Sequence, residues 1–585
     1  MLYLPCAAPW PGGRTGGPYV EHSMTKRFGI VALAIILTAS VLGGTFGKRA
    51  RSRAATANSQ AAINPADNIL DDYQSAVEVI TDNYAGEIDY EKATQAAIQG
   101  MLTTLDPHSM YFPQNEFRKL KEDQDSRFYG IGVTILQHRD GVYVQSAVED
   151  TPAARAGLRY GDRIVEVDGK DAREWTSEQV SKNVRGERGE AVKLKVERAG
   201  SEAPLYFNIV RDAVPLPSIR NSYMIRPGTG YVGLTGGFQH TTADELSEAL
   251  TNLKAQGMRQ LVLDLRGNPG GLLDQAIAVA SEFLPRGQVV VSVRGRSEGQ
   301  PIVYKSRGNE VEDLPIVVLI NRNTASASEI VAGAIQDHGR GLIVGETSFG
   351  KGLVQRVFQL PFGTGLTLTT AHYYTPYGRL IQRDYSNGSF YDYYVRHNPE
   401  EETQPQPAPG AEQPAPTPTP RPPTGPAVKT AAGRVFYGGG GITPDIEVKP
   451  QAISPLRGRI IEAAFYFTRQ LASGQIPGLE SYRIEKVNYN HSPRANDYPI
   501  TDKVTEAFLN FIKRDPEQGL QPAQFEAEME FVRLRLRNEI ITAAYNSDSG
   551  TRVLLDSDPQ TLRALEALPD ARRLAESVRD SESQS

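Results

Sequence analysis

Cysteine is almost missing from this chain of 585 residues: there is one, Cys6, and it precedes an internal Met24 that reads as the better start. A body without cysteine excludes disulfides, thiolate catalysis and cysteine-ligated metals, and it fits an oxidising compartment. Positive charge is not in excess either. The net charge of −6 offers no basic face for nucleic acid, and no zinc-finger, P-loop or basic-aromatic pattern occurs. Long apolar runs are absent with one exception. From Met24 the chain reads "MTKRFGIVALAIILTASVLGGTFGKRARSR", two cations ahead of about 19 mostly apolar residues, the length of a membrane span or a long signal segment. Lys48, Arg49, Arg51 and Arg53 beyond it blur the orientation expected from charge. The expectation is export: residues 1–23 an extension ahead of the true start, 24–46 a signal peptide or membrane anchor, and 47–65 a polar linker. The protein would then be periplasmic, or membrane-anchored and facing the periplasm or cell exterior.

The length exceeds what one compact core accommodates, and the pattern changes along it. Residues 66–126 carry apolar residues at helical spacing in "ILDDYQSAVEVITDNY" and "YEKATQAAIQGMLTTL", until Asp106-Pro107 breaks the second helix. Residues 127–213 are short strands with turns between them, interrupted by helices near "PAARAGL" and "TSEQVSKNV". That order, with "YGIG" and "GDRIVEVDG", resembles a PDZ domain. Tyr129, Gly130, Ile131 and Gly132 would form the loop whose amides hold a peptide's terminal carboxylate, and the next strand would accept the peptide by β-augmentation. From 214 to 450 strands and helices alternate, as in an α/β core with a largely parallel sheet. A Pro-rich insertion at 398–427 cannot bury a core of its own. Residues 451–585 are mostly helical and are expected to mediate self-association or adaptor docking through apolar helix faces. Short joints near 126 and 214 would let the PDZ unit move and gate access. The fold class is multidomain α+β: an α/β core, an inserted β-rich domain and flanking helical segments.

The chemistry concentrates in three segments. "NRNTASASEI" (Asn321–Ile330) lies between an apolar strand and a helix, where open α/β folds place ligands. Taken alone it reads most simply as a capped helix start, with Thr324, Ser326 or Ser328 as cap and Glu329 in support. "DLRGNPGG" (Asp264–Gly271) ends another strand in a glycine-rich turn whose amides suit an oxyanion hole. In "GETSFGKGLVQ" (Gly345–Gln355), Lys351 stands between two glycines among apolar residues, as a lysine desolvated toward a neutral pKa requires. Alternation along a strand would put 351, 353 and 355 on one face, so that Gln355 orients the amine. A serine/histidine pair built on His240 or His372 competes on spacing, and His338 lies at the far end of the helix.

Together, "TASASEI", Lys351 with Gln355, "DLRGNPGG", the PDZ-like unit and "GGGGITPD" resemble the carboxyl-terminal processing (tail-specific) proteases over roughly residues 66–450. The resemblance implies a serine endopeptidase whose nucleophile is Ser326 and whose general base is Lys351, 25 residues on. Gln355 matches the residue that supports the lysine, and Gly270, Gly271 and Ala327 would hold the oxyanion. No metal or organic cofactor is implied. Substrates would be proteins or peptides with accessible apolar C-termini. Asp337 also matches a family position, but 11 residues of helix put it about 16 Å from Ser326, so a structural role is expected. The alternative, a non-catalytic PDZ-bearing envelope scaffold, has no chemical reason to combine Ser326, Lys351 and Gln355.

Overall fold

The computed structural model describes residues 65–296, 300–308, 312–385, 425–431, 433–489, 493–494, 496–514 and 522–583. The expected export segment lies outside them, as does nearly all of the Pro-rich insertion. Among the described residues, no helix is long and apolar enough to cross a membrane. The chain separates into two units, 1–96 and 97–585. In the first, helix α1 (Pro65–Asn83) leaves Ile69, Leu70, Tyr73 and Val77 exposed. Helix α2 (Tyr90–Thr103) ends where Asp106 folds an Asx turn, its Oδ1 accepting the N–H groups of His108 and Ser109 at 2.8 and 2.9 Å. Strand β1 (Met110–Phe112) and helix α3 (Gln114–Gln124) follow.

Strand β2 (Arg127–Gly130) opens the β-rich unit. Next come β3 (Val133–His138), β4 (Gly141–Ala147), helix α4 (Pro152–Ala156), β5 (Arg163–Val167), β6 (Lys170–Asp171), helix α5 (Ser177–Val184), β7 (Ala191–Glu197) and β8 (Leu205–Val210). Their sheet runs β3-β4-β5-β7-β8, with β6 on β5, so β3 is an edge. Strand β9 (Asp212–Pro215) leaves the unit antiparallel to β2, pairing Tyr129 with Ala213 and Gly130 with Asp212. The two joints expected to be free linkers are therefore one ladder.

The core sheet begins with β10 (Ile219–Arg226) and β11 (Thr229–Leu234), an antiparallel pair. Helix α6 (Thr242–Ala255) leads to β12 (Gln260–Asp264) and helix α7 (Leu273–Ser281). Strands β13 (Val289–Gly295) and β14 (Ile302–Lys305) belong to a second, antiparallel sheet. The chain returns with β15 (Ile316–Ile320), helix α8 (Ala327–Asp337) and β16 (Leu342–Gly345). It then adds β17 (Leu353–Gln359) and β18 (Gly365–Tyr374) to the second sheet, where β1 also pairs. A hairpin of β19 (Ala427–Lys429) and β20 (Val435–Tyr437) precedes β21 (Ile446–Glu447). The core order is β10-β11-β12-β15-β16-β21, parallel from β11 onward. Strands such as "LVLDL" and "IVVLI" are apolar on both faces because both are covered. Leu261, Leu263, Ile316 and Val318 meet α6, α7 and α8 on one side. Val262, Val317 and Leu319 meet Ala564, Ala567, Leu568 and Ala571 on the other.

Those alanines belong to the C-terminal helices: α9 (Pro455–Ala472), α10 (Asp502–Arg514), α11 (Met529–Ala544), α12 (Ser547–Leu555) and α13 (Pro559–Ser583). While α13 backs the core sheet, α9 and α11 grip the β-rich unit. His138, at the end of β3, stacks on Phe465 with centroids 3.6 Å apart, and its Nδ1 lies 2.8 Å from Glu462. The Tyr160 hydroxyl donates to the buried Glu539 at 2.8 Å, and Arg469 donates to the Gly161 carbonyl at 2.7 Å. Apolar faces of these helices pack against the β-rich unit and the core sheet.

Candidate active site

Strand β15 ends at Ile320, and the chain turns through Asn321–Ala325 to reach Ser326, the residue before α8. Ser326 has φ 57° and ψ −118°, a region that costs a non-glycine residue about 1–3 kcal/mol and persists only where its surroundings impose it. Glu329 supplies the main restraint. Its fully buried carboxylate accepts the N–H of Ser326 at 2.7 Å, of Gly350 at 2.7 Å and of Lys351 at 2.9 Å, and the Ser348 hydroxyl at 2.5 Å. The Tyr373 hydroxyl adds a second bridge, touching the carbonyls of Ser326, at 2.9 Å, and Lys351. The two segments quoted for their chemistry are held together by one carboxylate and one phenol.

Burial pushes the Lys351 ammonium down to about 8, while the carboxylates of Glu329 and Asp106 pull it back up. Burial also raises the Glu329 carboxyl, and its four hydrogen bonds oppose that rise. All four partners are donors, so the ionised carboxylate is the form the site accommodates. Asp106 brings His108 with it. Burial and then the Lys351 charge push this imidazole down to about 3, which leaves it neutral at physiological pH. In the sequence Asp106-Pro107 reads as a helix breaker, which says nothing of the Asp106 and His108 side chains. The Asp-Pro-His-Ser run after a helix was the available signal.

The glycine turn reaches Ser326 from β12. Gly270 has φ 93°, and a Cβ there would stand 2.6 Å from that of Ser326; Gly271 has φ 145° and a Cβ would strike the Phe238 carbonyl at 2.1 Å. Only glycine permits this approach. Ala327 is the first residue of α8, so its N–H has no intrahelical acceptor. The expectation for Gly270 as an oxyanion donor is corrected, because its N–H already donates to Asn268 Oδ1 at 2.9 Å. Gly271 packs against Phe238 in an isolated parallel bridge, and Ala327 opens α8.

The Peptidase family S41 model matches residues 228–390, the PDZ domain model residues 130–208, and the Activating protease CtpB N-terminal domain model residues 40–116. The Carboxy-terminal-processing protease of Bartonella bacilliformis is 39% identical over 310 residues, 52% of this chain and 70% of that protein. The chain belongs to the carboxy-terminal processing proteases. Carboxy-terminal processing protease CtpA of Bacillus subtilis is 33% identical over 325 residues, 55% of this chain and 69% of that protein. A solved structure, the photosystem II D1 C-terminal processing protease, is 32% identical, covers 52% of this chain and 83% of its own, and has a TM-score of 0.32. This is a serine-type peptidase with a PDZ domain.

Within this carboxy-terminal processing protease, the strand argument for Gln355 does not hold. Lys351 lies outside β17, and the register slips between Val354 and Gln355. Strand alternation therefore does not carry from 351 to 355, and the Gln355 amide donates to Thr369 Oγ1 at 3.2 Å. Asp337 pairs with Arg379 at 2.5 Å, both fully buried. The rival histidines stay apart. His240 is exposed, and His338 Nε2 contacts the Val289 carbonyl at 2.7 Å. His372 neighbours Tyr373 in β18 and so faces the opposite side from the phenol that touches Ser326. In the PDZ unit, Tyr129 and Gly130 are committed to the β2–β9 ladder. Ile131 and Gly132 follow them and lead directly into edge strand β3.

Proposed function

We propose that Ser326 and Lys351 form the catalytic dyad of this peptidase, and that the PDZ unit presents substrates by their C-terminal tails. The observation that carries the dyad is the double bridge through Glu329 and Tyr373, which joins the backbones of two residues 25 positions apart. Neutral Lys351 takes the Ser326 proton as the hydroxyl attacks a peptide carbonyl. The N–H groups of Gly271 and Ala327 receive the charge on the carbonyl oxygen. Collapse of the tetrahedral intermediate breaks the C–N bond, and the Lys351 ammonium protonates the departing amine. Water, deprotonated by Lys351, then attacks the acyl-serine and restores both groups.

The edge position of β3, with α5 beside it and Ser177 N–H donating to Gln137 at 2.9 Å, supports peptide addition as a further strand. The segment 24–46, with its cations and apolar run, supports export of the protease. The test is cleavage of a peptide with an apolar C-terminus by wild type, Ser326→Ala and Lys351→Ala. Loss of turnover by at least ~10³-fold in both variants is expected. Wild-type rates in either would remove that residue from the mechanism.

A further inference from the structure

Arg266 lies in the catalytic glycine turn and is held from two directions. Inside the turn its Nε donates to both Asp264 oxygens at 3.0 Å, and Nη2 reaches Asp264 Oδ2 at 2.6 Å. From the head of α13, Asp558 accepts Nη1 at 2.6 Å, Gln560 accepts the same nitrogen at 2.9 Å, and Thr561 Oγ1 accepts Nη2 at 3.1 Å. Gln560 and Thr561 are buried. The other Asp558 oxygen caps α13, accepting the N–H groups of Gln560 and Thr561 at 2.8 and 3.0 Å.

What Arg266 holds leads directly to the nucleophile. Beside it, the Leu265 carbonyl accepts the Thr324 hydroxyl at 2.9 Å. Two residues on, the Asn268 carbonyl accepts the Ala325 N–H at 3.0 Å and the Ser328 hydroxyl at 3.2 Å. Asn268 Oδ1 fixes Gly270, and its amide donates to Leu234 at 2.8 Å. A turn with this much glycine has many conformations to lose, while an oxyanion hole tolerates displacements of only about 0.5 Å. Asp264 restrains the guanidinium from within the same turn; an external reference has to come from elsewhere in the fold, and α13 provides one anchored on the back of the sheet.

We propose that Asp558, Gln560 and Thr561 are positioning residues for the catalytic glycine turn, acting through Arg266, so that the C-terminal helical unit is required for turnover as well as for stability. This rests on the reading of Ser326 as nucleophile and of Gly271 and Ala327 as oxyanion donors. The full-length chain is assayed with two variants that spare the helix cap. Asp558→Ser keeps a capping oxygen but is too short to reach Arg266, and Gln560→Ala removes one acceptor without touching the cap. Their double variant is expected to lose about tenfold in kcat with KM unchanged. Affinity for a peptide aldehyde, whose adduct carries the oxyanion, falls in parallel, and Asp558→Glu recovers part of the loss. With Arg266→Lys already in place, adding Asp558→Ser should cost nothing more. Wild-type kcat in the folded double variant would overturn the proposal, as would a loss matched by the unfolded fraction or one fully additive with Arg266→Lys. Ser326→Ala is run alongside: if it still cleaves, the nucleophile assignment fails; if it is inert while the double variant matches wild type, only the positioning role fails.

Discussion

As the proposed base, Lys351 would act only when neutral, and its surroundings pull both ways. Removal from water lowers its pKa to about 8, and the nearby Glu329 and Asp106 carboxylates limit the fall. Turnover should therefore rise with pH through an acid limb near 8, read from kcat/KM; a rate flat from about pH 5 to 9 would contradict the assignment. Glu329→Gln removes a negative neighbour, so the limb should move to lower pH even as kcat drops from the loosened Ser326–Lys351 bridge. A limb that stays in place would mean that Glu329 is not felt by the amine. This carboxylate was legible in the sequence only as helix-cap support. Its reach to Ser348, Gly350 and Lys351 depends on two segments meeting, which helical spacing cannot report.

Elements differ in how openly they declare themselves. β12 and β15 were readable because strands buried on both faces are continuously apolar. The turn from β15 into α8 was readable because a strand followed by small and polar residues and then a helical pattern admits few geometries. The alternation argument for Gln355 was of another kind: it assumes an unbroken strand, and here Lys351 precedes the strand and a bulge intervenes. Gly270→Ala tests the turn itself. A methyl group at 2.6 Å from the Ser326 Cβ should abolish turnover while leaving the core sheet folded, as checked by activity and thermal denaturation together. At the far end of α8, breaking the buried Asp337–Arg379 pair with Asp337→Ala should cost about 3–5 kcal/mol of stability without moving the acid limb of the pH profile. A shifted limb would give Asp337 a part in the chemistry.

Across the whole molecule, the helices beyond residue 455 were legible as helices, but their partners were not, since an apolar face does not name what covers it. They hold the PDZ sheet through His138, Tyr160 and Gly161 and the core through α13. Movement of the PDZ unit relative to α9 must therefore break the stacked His138–Phe465 contact. Phe465→Ala should raise amide exchange in β3, β4 and α9 while β12 and β15 stay protected. Equal loss of protection in all of them would show that the clamp and the core unfold as one.

The position of α13 along the chain has a consequence in time. Every residue assigned to the reaction precedes it in synthesis, and Arg266 meets Asp558, Gln560 and Thr561 only after they have emerged. A nascent chain would carry its serine and lysine for the whole interval in which α9 to α12 are being made, with the glycine turn held by Asp264 and by its bonds to Leu234, Thr324, Ala325 and Ser328 but without the brace from α13. If those contacts position the turn as proposed, the order of the sequence places full peptidase activity after the helical clamp has formed.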